Sequence, residues 1–293
     1  MLSIDTVRQA LHDQAAEYAN LELSSSSQIS GTDNDIYRLG SNFCVRLPKS
    51  QSSAAQLLKE MKWLPRMQGL SLAVPQPVFL GDATPELEFG WTIYNWIEGE
   101  DLLRSAPLEQ DDIAMQIAQF LKSLWAINPE HGPRAGSQNH YRGADLHMRD
   151  SLTREACRMV SDEFCSQSLM RVWESALSSS NFHGPLKWVH GDIHAANLIV
   201  NNARLVAIID WGLMGVGDPA VDLLPAWSLL SSEMRGVLKI ETCVDKATWN
   251  RGKGWALSVS VIAYSYYKDR QNFWLNDISK RILNELIADA DSL

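Results

Sequence analysis

The sequence predicts an α+β fold with two lobes, a small β-rich lobe followed by a larger, mainly helical one. Short strand-like segments are concentrated in the first hundred residues, whereas apolar residues recur mostly at helical spacing from about residue 108 onward. One further hairpin is embedded in the helical part. We expect the lobes to join near residues 94–99, which gives predicted domains of residues 1–96 and 97–293.

The first lobe is predicted to contain two helices and four strands. The apolar face of the first helix is formed by Ile4, Val7, Leu11 and Tyr18. A hairpin over residues 37–47 follows, because two β-prone runs flank a short Gly-Ser-Asn turn. The segment 52–68 begins with serine and carries an apolar face, which predicts a helix. Two extended segments, VPQPVFLG and WTIYNWI, complete the lobe.

The second lobe is predicted to be helical apart from one hairpin. The predicted helices cover residues 108–126, 147–178, 221–239, 254–268 and 275–289. Between them, LIV and LVAIID flank a turn predicted at Asn201-Asn202. The longest apolar stretch, which starts at Trp255, is too short and too rich in serine to span a bilayer. We therefore expect a soluble protein without a membrane partner.

Composition narrows the function classes. The chain has 293 residues, and its net charge of −9 disfavours a nucleic-acid partner. The four cysteines lack C-x-x-C spacing, which favours reduced thiols in a cytoplasmic protein over zinc or disulfides. The N-terminal segment carries acidic residues and no apolar core, so it does not resemble a signal peptide. A monomer and a homodimer both remain compatible with these features.

The segment WVHGDIHAANLIV, residues 188–200, places polar side chains between two strand-like flanks. Three interpretations compete. His190, Asp192 and His194 could be zinc ligands, but the remaining histidines form no matching motif. A polar loop without chemistry would account for any one of these residues. It does not account for the ordered set of residues found elsewhere in the chain.

The third interpretation is phosphoryl transfer, because the chain carries its parts in order. The basic residue Arg46 lies on a predicted strand, and the acidic residue Glu60 lies on the next predicted helix. The central loop contains Asp192 and, five residues later, Asn197, and Asp210 follows the hairpin. A transferring phosphoryl group carries negative charge, which fixed cations and Mg²⁺ offset. Asn197 and Asp210 offer oxygen ligands that suit Mg²⁺.

The sequence resembles the aminoglycoside phosphotransferase family of small-molecule kinases, a branch of the protein-kinase-like fold. The resemblance covers nearly the whole chain and includes SGTDNDIYRLG, FCVRLPK, LLKEMKWL, WVHGDIHAANLIV, AIIDWG and GDPAVDL. It implies a two-lobe kinase fold, ATP or GTP with Mg²⁺, and a small-molecule hydroxyl acceptor.

The resemblance also implies roles for individual residues. Asp192 would be the catalytic base, Asn197 and Asp210 would bind magnesium, and Arg46 would contact nucleotide phosphates with Glu60 as its ion-pair partner. His190 and Asp222 would support the catalytic loop, and Asp222 would open a helix. The remaining nucleotide contacts would come from Ser30, Gly31 and Thr32 near the phosphates and from the hinge residues Tyr94, Asn95, Trp96 and Ile97 near adenine.

Three positions depart from the protein-kinase pattern. Arg46 replaces the usual lysine, and its permanent bidentate charge still suits phosphate. The phosphate-covering loop has the single glycine Gly31, which a plain turn would explain equally well. His194 stands where protein kinases place a lysine, which favours a small-molecule acceptor; His194 either contacts the γ-phosphate or packs within the loop.

The identity of the acceptor stays open at this stage. An acidic group in the helical lobe either forms a solvated helix face or binds ammonium groups of an aminoglycoside; its members are Asp145, Asp150, Glu155, Asp162 and Glu163. Tryptophans near the C-terminus are core residues or line a pocket for a larger acceptor such as a macrolide; they are Trp227, Trp249, Trp255 and Trp274. The leading expectation is an antibiotic acceptor and resistance, with a metabolic small-molecule kinase or a non-catalytic nucleotide-binding pseudokinase as alternatives.

Overall fold

The chain folds into two compact units, each with its own core. The computed structural model describes residues 2–25, 33–106, 108–269 and 273–291. The first unit comprises Met1–Gly99 together with Val206–Gly212. The second comprises Glu100–Leu205 together with Leu213–Leu293. Among the described helices, none is long and apolar enough to cross a membrane.

The first unit is built on a five-stranded antiparallel sheet. Its strands are β1 (Leu23–Ser25), β2 (Asn34–Leu39), β3 (Phe43–Pro48), β4 (Pro77–Gly81) and β5 (Trp91–Asn95), in the spatial order β1-β2-β3-β5-β4. The predicted hairpin over residues 37–47 is confirmed, because Tyr37 is opposite Val45 in the β2–β3 register. Helix α1 (Ile4–Gln14) packs its buried Val7 and Leu11 into the apolar core of this unit.

Both helices of the first unit are shorter than predicted. Helix α1 ends at Gln14, so Tyr18 lies beyond it, although the Tyr18 ring still packs edge-on against Phe43 at 5.2 Å. Helix α2 (Gln51–Trp63) begins with a capping box formed by Ser50 and Ser53 and does not continue to residue 68. A 3₁₀ turn, Leu64–Arg66, follows it. The turn contains Pro65, which has no backbone N–H and so cannot donate the next hydrogen bond of an α-helix.

The second unit is mainly helical. Its helices are α3 (Gln110–Ala126), α4 (Asp150–Met159), α5 (Ser166–Leu177), α6 (Pro225–Ser228), α7 (Ser232–Thr242), α8 (Lys246–Tyr267) and α9 (Phe273–Asp291). Its strands are β6 (Glu100–Asp101), β7 (Lys187–Val189), β8 (Leu198–Asn201) and β10 (Gly215–Gly217). Strand β9 (Arg204–Ile208) starts in this unit and ends in the Val206–Gly212 segment of the first unit. The α+β class predicted from the sequence is confirmed.

Three helix predictions in the second unit are wrong in extent. The segment 147–178 is a 3₁₀ turn, Leu146–Arg149, followed by two helices separated at residues 160–165. In that break Ser161 donates its hydroxyl to the Arg158 carbonyl, a local bond that competes with helix continuation. The segment 221–239 is divided by a 3₁₀ turn, Pro219–Leu223, and by a second proline, Pro225, at the start of α6.

Helix α8 starts at Lys246, eight residues before its predicted start at residue 254. Asp245 caps it by accepting the backbone N–H of Thr248 at 2.6 Å. The two glycines inside this helix have a packing reason. A Cβ on Gly252 would meet Leu223 at 2.9 Å, and one on Gly254 would meet Ala176 at 2.6 Å. The glycines therefore allow α8 to pack closely within the core of the second unit.

The strands of the second unit lead into the polar segment around residue 190. β7 pairs antiparallel with β10, and Trp188 is opposite Val216. The predicted hairpin is confirmed as β8 and β9, neighbours in a sheet of order β6-β8-β9. Its turn lies one residue later than predicted, at Asn202-Ala203, where φ is +50° and +57°. Two successive positive φ angles are typical of the type I′ turn that joins two-residue hairpins.

Candidate active site

The loop from His190 to Asn197 is held from within the second unit by one buried carboxylate. The backbone N–H groups of His190 and Gly191 donate to the two oxygens of Asp222 at 2.9 and 2.7 Å. Asp222 is fully buried within the 3₁₀ turn Pro219–Leu223, where Asp218 and not Asp222 is the N-cap. The prediction that Asp222 opens a helix is therefore wrong. Its hydrogen bonds to the loop backbone are present.

Burial raises the pKa of Asp222 to about 7, against the lowering effect of the two N–H donors and of Arg142. His190, also fully buried, accepts the backbone N–H of Asp192 on its Nδ1 at 3.2 Å. The His190 ring thus lies behind the loop and fixes the backbone that carries Asp192. Both contacts are made by groups with no access to solvent, which makes this part of the loop rigid.

The carboxylate of Asp192 is partly exposed. Its side chain is 25% exposed, and its two oxygens lie near two different basic side chains. Oδ2 is 3.5 Å from His194 Nε2, and Oδ1 is 3.7 Å from Arg142 Nη2. Burial opposes ionisation, but His194, Arg142 and His190 together hold the pKa of the Asp192 carboxyl well below its usual range. Asp192 is therefore an ionised hydrogen-bond acceptor at neutral pH.

Asn197 closes the loop on Asp192. Its Nδ2 donates to the backbone carbonyl of Asp192 at 3.0 Å and lies 3.2 Å from His194 Nε2. These contacts involve the amide nitrogen of Asn197. The same contacts place His194 within the loop, so packing of His194 against Asn197 and Asp192 is what the structure shows for this residue.

The first unit holds a second group of predicted residues around a buried ion pair. Arg46 Nη1 donates to Glu60 Oε2 at 2.7 Å, and the Tyr94 hydroxyl donates to the same oxygen at 2.6 Å. Glu60 is only 1% exposed. Burial opposes the charge of Arg46, but the Glu60 carboxylate raises the pKa of Arg46 above its usual value, with smaller contributions from Tyr94 and Asp210.

Two buried atoms of this pair lack an internal partner. Within the described part of the chain, neither Arg46 Nε nor Glu60 Oε1 has a hydrogen-bond partner. Buried polar atoms are normally satisfied, so an unsatisfied pair calls for an explanation such as a bound ligand. The two atoms belong to Arg46 and Glu60, for which the family resemblance implies a role in nucleotide binding.

Asp210 lies in the same unit and adopts a strained backbone. Its φ is +62°, a left-handed conformation that is uncommon for residues other than glycine. The next residue, Trp211, is fully buried and donates its indole N–H to the Ile208 carbonyl at 3.0 Å. The turn after β9 is thus anchored by Trp211, while the Asp210 side chain is exposed. Strained residues of this kind cluster at functional sites.

The other predicted nucleotide contacts are only partly described. Ser30, Gly31 and Thr32 lie outside the described residues. In the hinge segment, the backbone N–H groups of Asn95 and Trp96 already donate to Gln76 and Asn42. A purine would have to use other backbone groups of this segment, such as those of Ile97. The Tyr94 side chain binds Glu60, a role that its assignment to the hinge did not anticipate.

The geometry bears on the zinc interpretation of the loop and on the two interpretations of the acidic group. Among the described residues, no group of three or more His, Cys, Asp and Glu side chains is arranged to hold a metal, so the zinc interpretation is not supported. Each of the five residues of the acidic group has a partner within its unit; the pairs are Asp145 with His147, Asp150 with Arg154, Glu155 with Arg158, and Asp162 and Glu163 with Lys268. The solvated helix face is therefore the better interpretation of this group.

The tryptophans are core residues where the structure describes them. Trp227 and Trp255 are fully buried and Trp249 is 8% exposed, whereas the Trp274 side chain lies outside the described part.

Arg142, which lies near Asp192, was not predicted from the sequence. It is a single basic residue in an irregular segment, 50 residues before Asp192, and no spacing rule connects the two.

Comparisons with known proteins identify similarity to phosphotransferases. A family model described as the phosphotransferase enzyme family matches residues 27–255. Viomycin phosphotransferase from Streptomyces vinaceus is 25% identical over 223 residues, which cover 73% of this chain and 77% of the relative.

Two solved structures share the fold across almost their whole length. The GDP and kanamycin complex of APH(2″)-IIIa has a TM-score of 0.73 at 19% identity and covers 97% of this chain and 99% of that chain. The macrolide 2′-phosphotransferase MphH from Brachybacterium faecium has a TM-score of 0.61 at 19% identity, with 95% and 98% covered. At this identity the structures bear on the fold, and they confirm the predicted class.

Proposed function

Because the chain belongs to the phosphotransferase enzyme family, we propose that it transfers the γ-phosphoryl group of ATP or GTP to a hydroxyl group of a small molecule, with Mg²⁺ as the metal. The observation that carries this proposal is the environment of Asp192. A partly exposed, ionised carboxylate lies in a loop whose backbone is fixed by buried groups. Such a carboxylate suits the orientation and deprotonation of a hydroxyl group.

The residues available for the nucleotide and the metal fit their chemistry. Arg46 offers a permanent cation with an unsatisfied Nε for phosphate oxygens. Asp210 and Asn197 offer a carboxylate and an amide oxygen, the donor types that Mg²⁺ prefers. When bound, Mg²⁺ offsets the charge of the phosphate oxygens. Glu60 and Tyr94 hold the Arg46 guanidinium in place, and Asp192 accepts the proton of the acceptor hydroxyl.

The two aspartates distinguish this proposal from simple nucleotide binding. Asp210→Asn should lose Mg²⁺-dependent nucleotide binding together with transfer. Asp192→Asn should still bind Mg-nucleotide while transfer falls by roughly 10²–10⁴, the typical contribution of a positioned base. Titration calorimetry with a non-hydrolysable nucleotide and single-turnover transfer assays measure the two properties separately.

The matched control is Asp162→Asn, which changes an exposed aspartate paired with Lys268 in the helical unit. It should bind and transfer as the wild type does. Loss of nucleotide binding in Asp192→Asn with retention in Asp210→Asn would reverse the two assignments. Normal transfer in both variants would exclude the loop 190–197 as the catalytic loop.

For the acceptor we propose an antibiotic hydroxyl, with resistance as the biological consequence. The support is the similarity to viomycin phosphotransferase and the shared fold with phosphotransferases named for aminoglycosides and macrolides. The internally paired acidic residues favour an acceptor that does not depend on many ammonium groups. Transfer assays with viomycin, kanamycin, a macrolide and simple metabolite alcohols, together with drug susceptibility of a host that expresses the chain, test this proposal. Transfer to a metabolite alcohol alone would favour the metabolic kinase.

A further inference from the structure

The catalytic loop lacks a cation that comparable loops carry within their own sequence. Protein kinases have arginine between the histidine and the aspartate of the motif H-R-D. Here that position is Gly191, with φ of +83°. A Cβ at this position would meet the Leu213 carbonyl oxygen at 2.9 Å and the Cβ of Arg142 at 3.1 Å. The space that a side chain would need at residue 191 is therefore occupied by Arg142.

Arg142 reaches the loop from a segment that is tightly fixed in the second unit. Asn139 is fully buried, and its Nδ2 donates to the carbonyls of Arg142 at 2.9 Å and of Leu213 at 3.2 Å. The two residues between them, His140 and Tyr141, both adopt left-handed backbone, with φ of 52° and 60°. Consecutive non-glycine residues in this conformation are costly and persist only where the surroundings enforce them.

The guanidinium of Arg142 lies near the Asp192 carboxylate of the loop. Its side chain is 12% exposed, and Nη2 lies 3.7 Å from Asp192 Oδ1. Burial lowers the pKa of Arg142, and the charges of Asp192 and Asp222 oppose that effect. Within the described residues Arg142 Nε has no hydrogen-bond partner. Arg142 therefore has a free donor and a carboxylate, that of Asp192, at a distance that a small movement would shorten to a hydrogen bond. Catalytic contacts are often this long before substrate binds.

We propose that Arg142 is a positioning residue for Asp192, supplying from a distant segment the cation that the loop itself lacks. This inference rests on the proposed role of Asp192. Arg142 would hold Oδ1 in one orientation, with His194 near Oδ2, so that the acceptor hydroxyl meets the carboxylate in a fixed geometry. A displacement of about 1 Å in such a group can cost on the order of 100-fold in rate.

The test separates positioning from a structural role. Arg142→Met should bind Mg-nucleotide as the wild type does, while single-turnover transfer falls by about 10- to 100-fold. Arg142→Lys, which keeps the charge, should recover most of that loss. Water serves as the acceptor in this assay until a preferred acceptor is known, and the released phosphate is measured. If Arg142→Met does not fold, Arg142→Gln takes its place with the same expectation.

Arg235→Met is the matched control, because Arg235 is also a buried arginine of the second unit but pairs with Glu285 and Asp289 on α9. It should lower stability without changing the transfer rate of the folded protein. Wild-type transfer in Arg142→Met, a parallel loss of nucleotide affinity, or an equal rate loss in Arg235→Met would each overturn the inference. Absence of transfer in the wild type to water and to every acceptor would instead contradict the proposed function.

Discussion

In the buried ion pair of the first unit, a single carboxylate would link stability to the proposed nucleotide binding. Glu60 is 1% exposed, and its Oε2 accepts from both Arg46 and Tyr94. A buried carboxylate is stable only when it is paired and hydrogen-bonded. The same pairing leaves Arg46 Nε unsatisfied and therefore available for a phosphate oxygen.

Arg46→Met should consequently affect the fold as well as nucleotide binding. Removing one partner of a buried pair typically costs about 3–5 kcal/mol, because the other charge stays buried. The remaining bond from Tyr94 places the expected loss at the lower end of that range. Urea unfolding of Arg46→Met, Glu60→Gln and the double variant measures the coupling. The double variant should be more stable than the sum of the single losses predicts, and strict additivity would contradict a coupled pair.

The motif residues could be predicted from the sequence because their spacing reflects local structure. Asp192 and Asn197 lie in one loop of eight residues, and Arg46 and Glu60 lie on a strand and the next helix. Arg142 and the Tyr94 hydroxyl could not be predicted in this way. Arg142 reaches Asp192 through a turn with two left-handed residues, a conformation that their sequence does not encode on its own.

At the scale of secondary structure, the hairpin β8–β9 carries strain in its turn. Ala203 has φ of +57° and is exposed, so no packing contact requires its methyl group. Left-handed backbone costs an alanine about 1 kcal/mol relative to glycine, which adopts it freely. The prediction that the turn is centred on Asn201-Asn202 failed because pattern alone does not distinguish registers that differ by one residue.

Ala203→Gly should therefore stabilise the protein by about 0.5–1 kcal/mol, measured by urea or thermal unfolding. The matched control is Ala83→Gly, an exposed alanine in a loop of the first unit that does not adopt positive φ. That change should be neutral or destabilising, because it only adds freedom to the unfolded chain. Equal effects of the two substitutions would mean that the turn is not strained.

Helix boundaries were the least predictable elements, for reasons that particular residues explain. Prolines 65, 219 and 225 interrupt apolar patterns that otherwise continue at helical spacing. Gly252 and Gly254 have the opposite effect, because they lie inside α8 and favour close packing over intrinsic helix propensity. The existence of most elements followed from the sequence, whereas their ends depended on contacts with other segments.

At the scale of the whole molecule, ligand binding should appear as added stability. A ligand that binds only the folded state stabilises it by about 2.7 kcal/mol at one hundred times its Kd. Mg-ATP or Mg-GTP at millimolar concentration should therefore raise the melting temperature of the wild type by several degrees. Differential scanning fluorimetry measures the shift with and without EDTA. Asp210→Asn should show little shift and Asp162→Asn a normal one; a wild type that responds to neither nucleotide would contradict the proposed function.

The first unit is completed by a segment from late in the chain, and this affects when the protein can fold during synthesis. The segment Val206–Gly212 belongs with Met1–Gly99 and contributes the bridge between Ala207 and Ala73 as well as Asp210. From residue 99 to residue 212 a ribosome must add 212 − 99 = 113 residues. At about 5–20 residues per second, this takes roughly 6–23 seconds. During that interval the N-terminal residues cannot yet contact the segment Val206–Gly212. We therefore expect slower translation to prolong the exposure of this incomplete unit to proteases and chaperones.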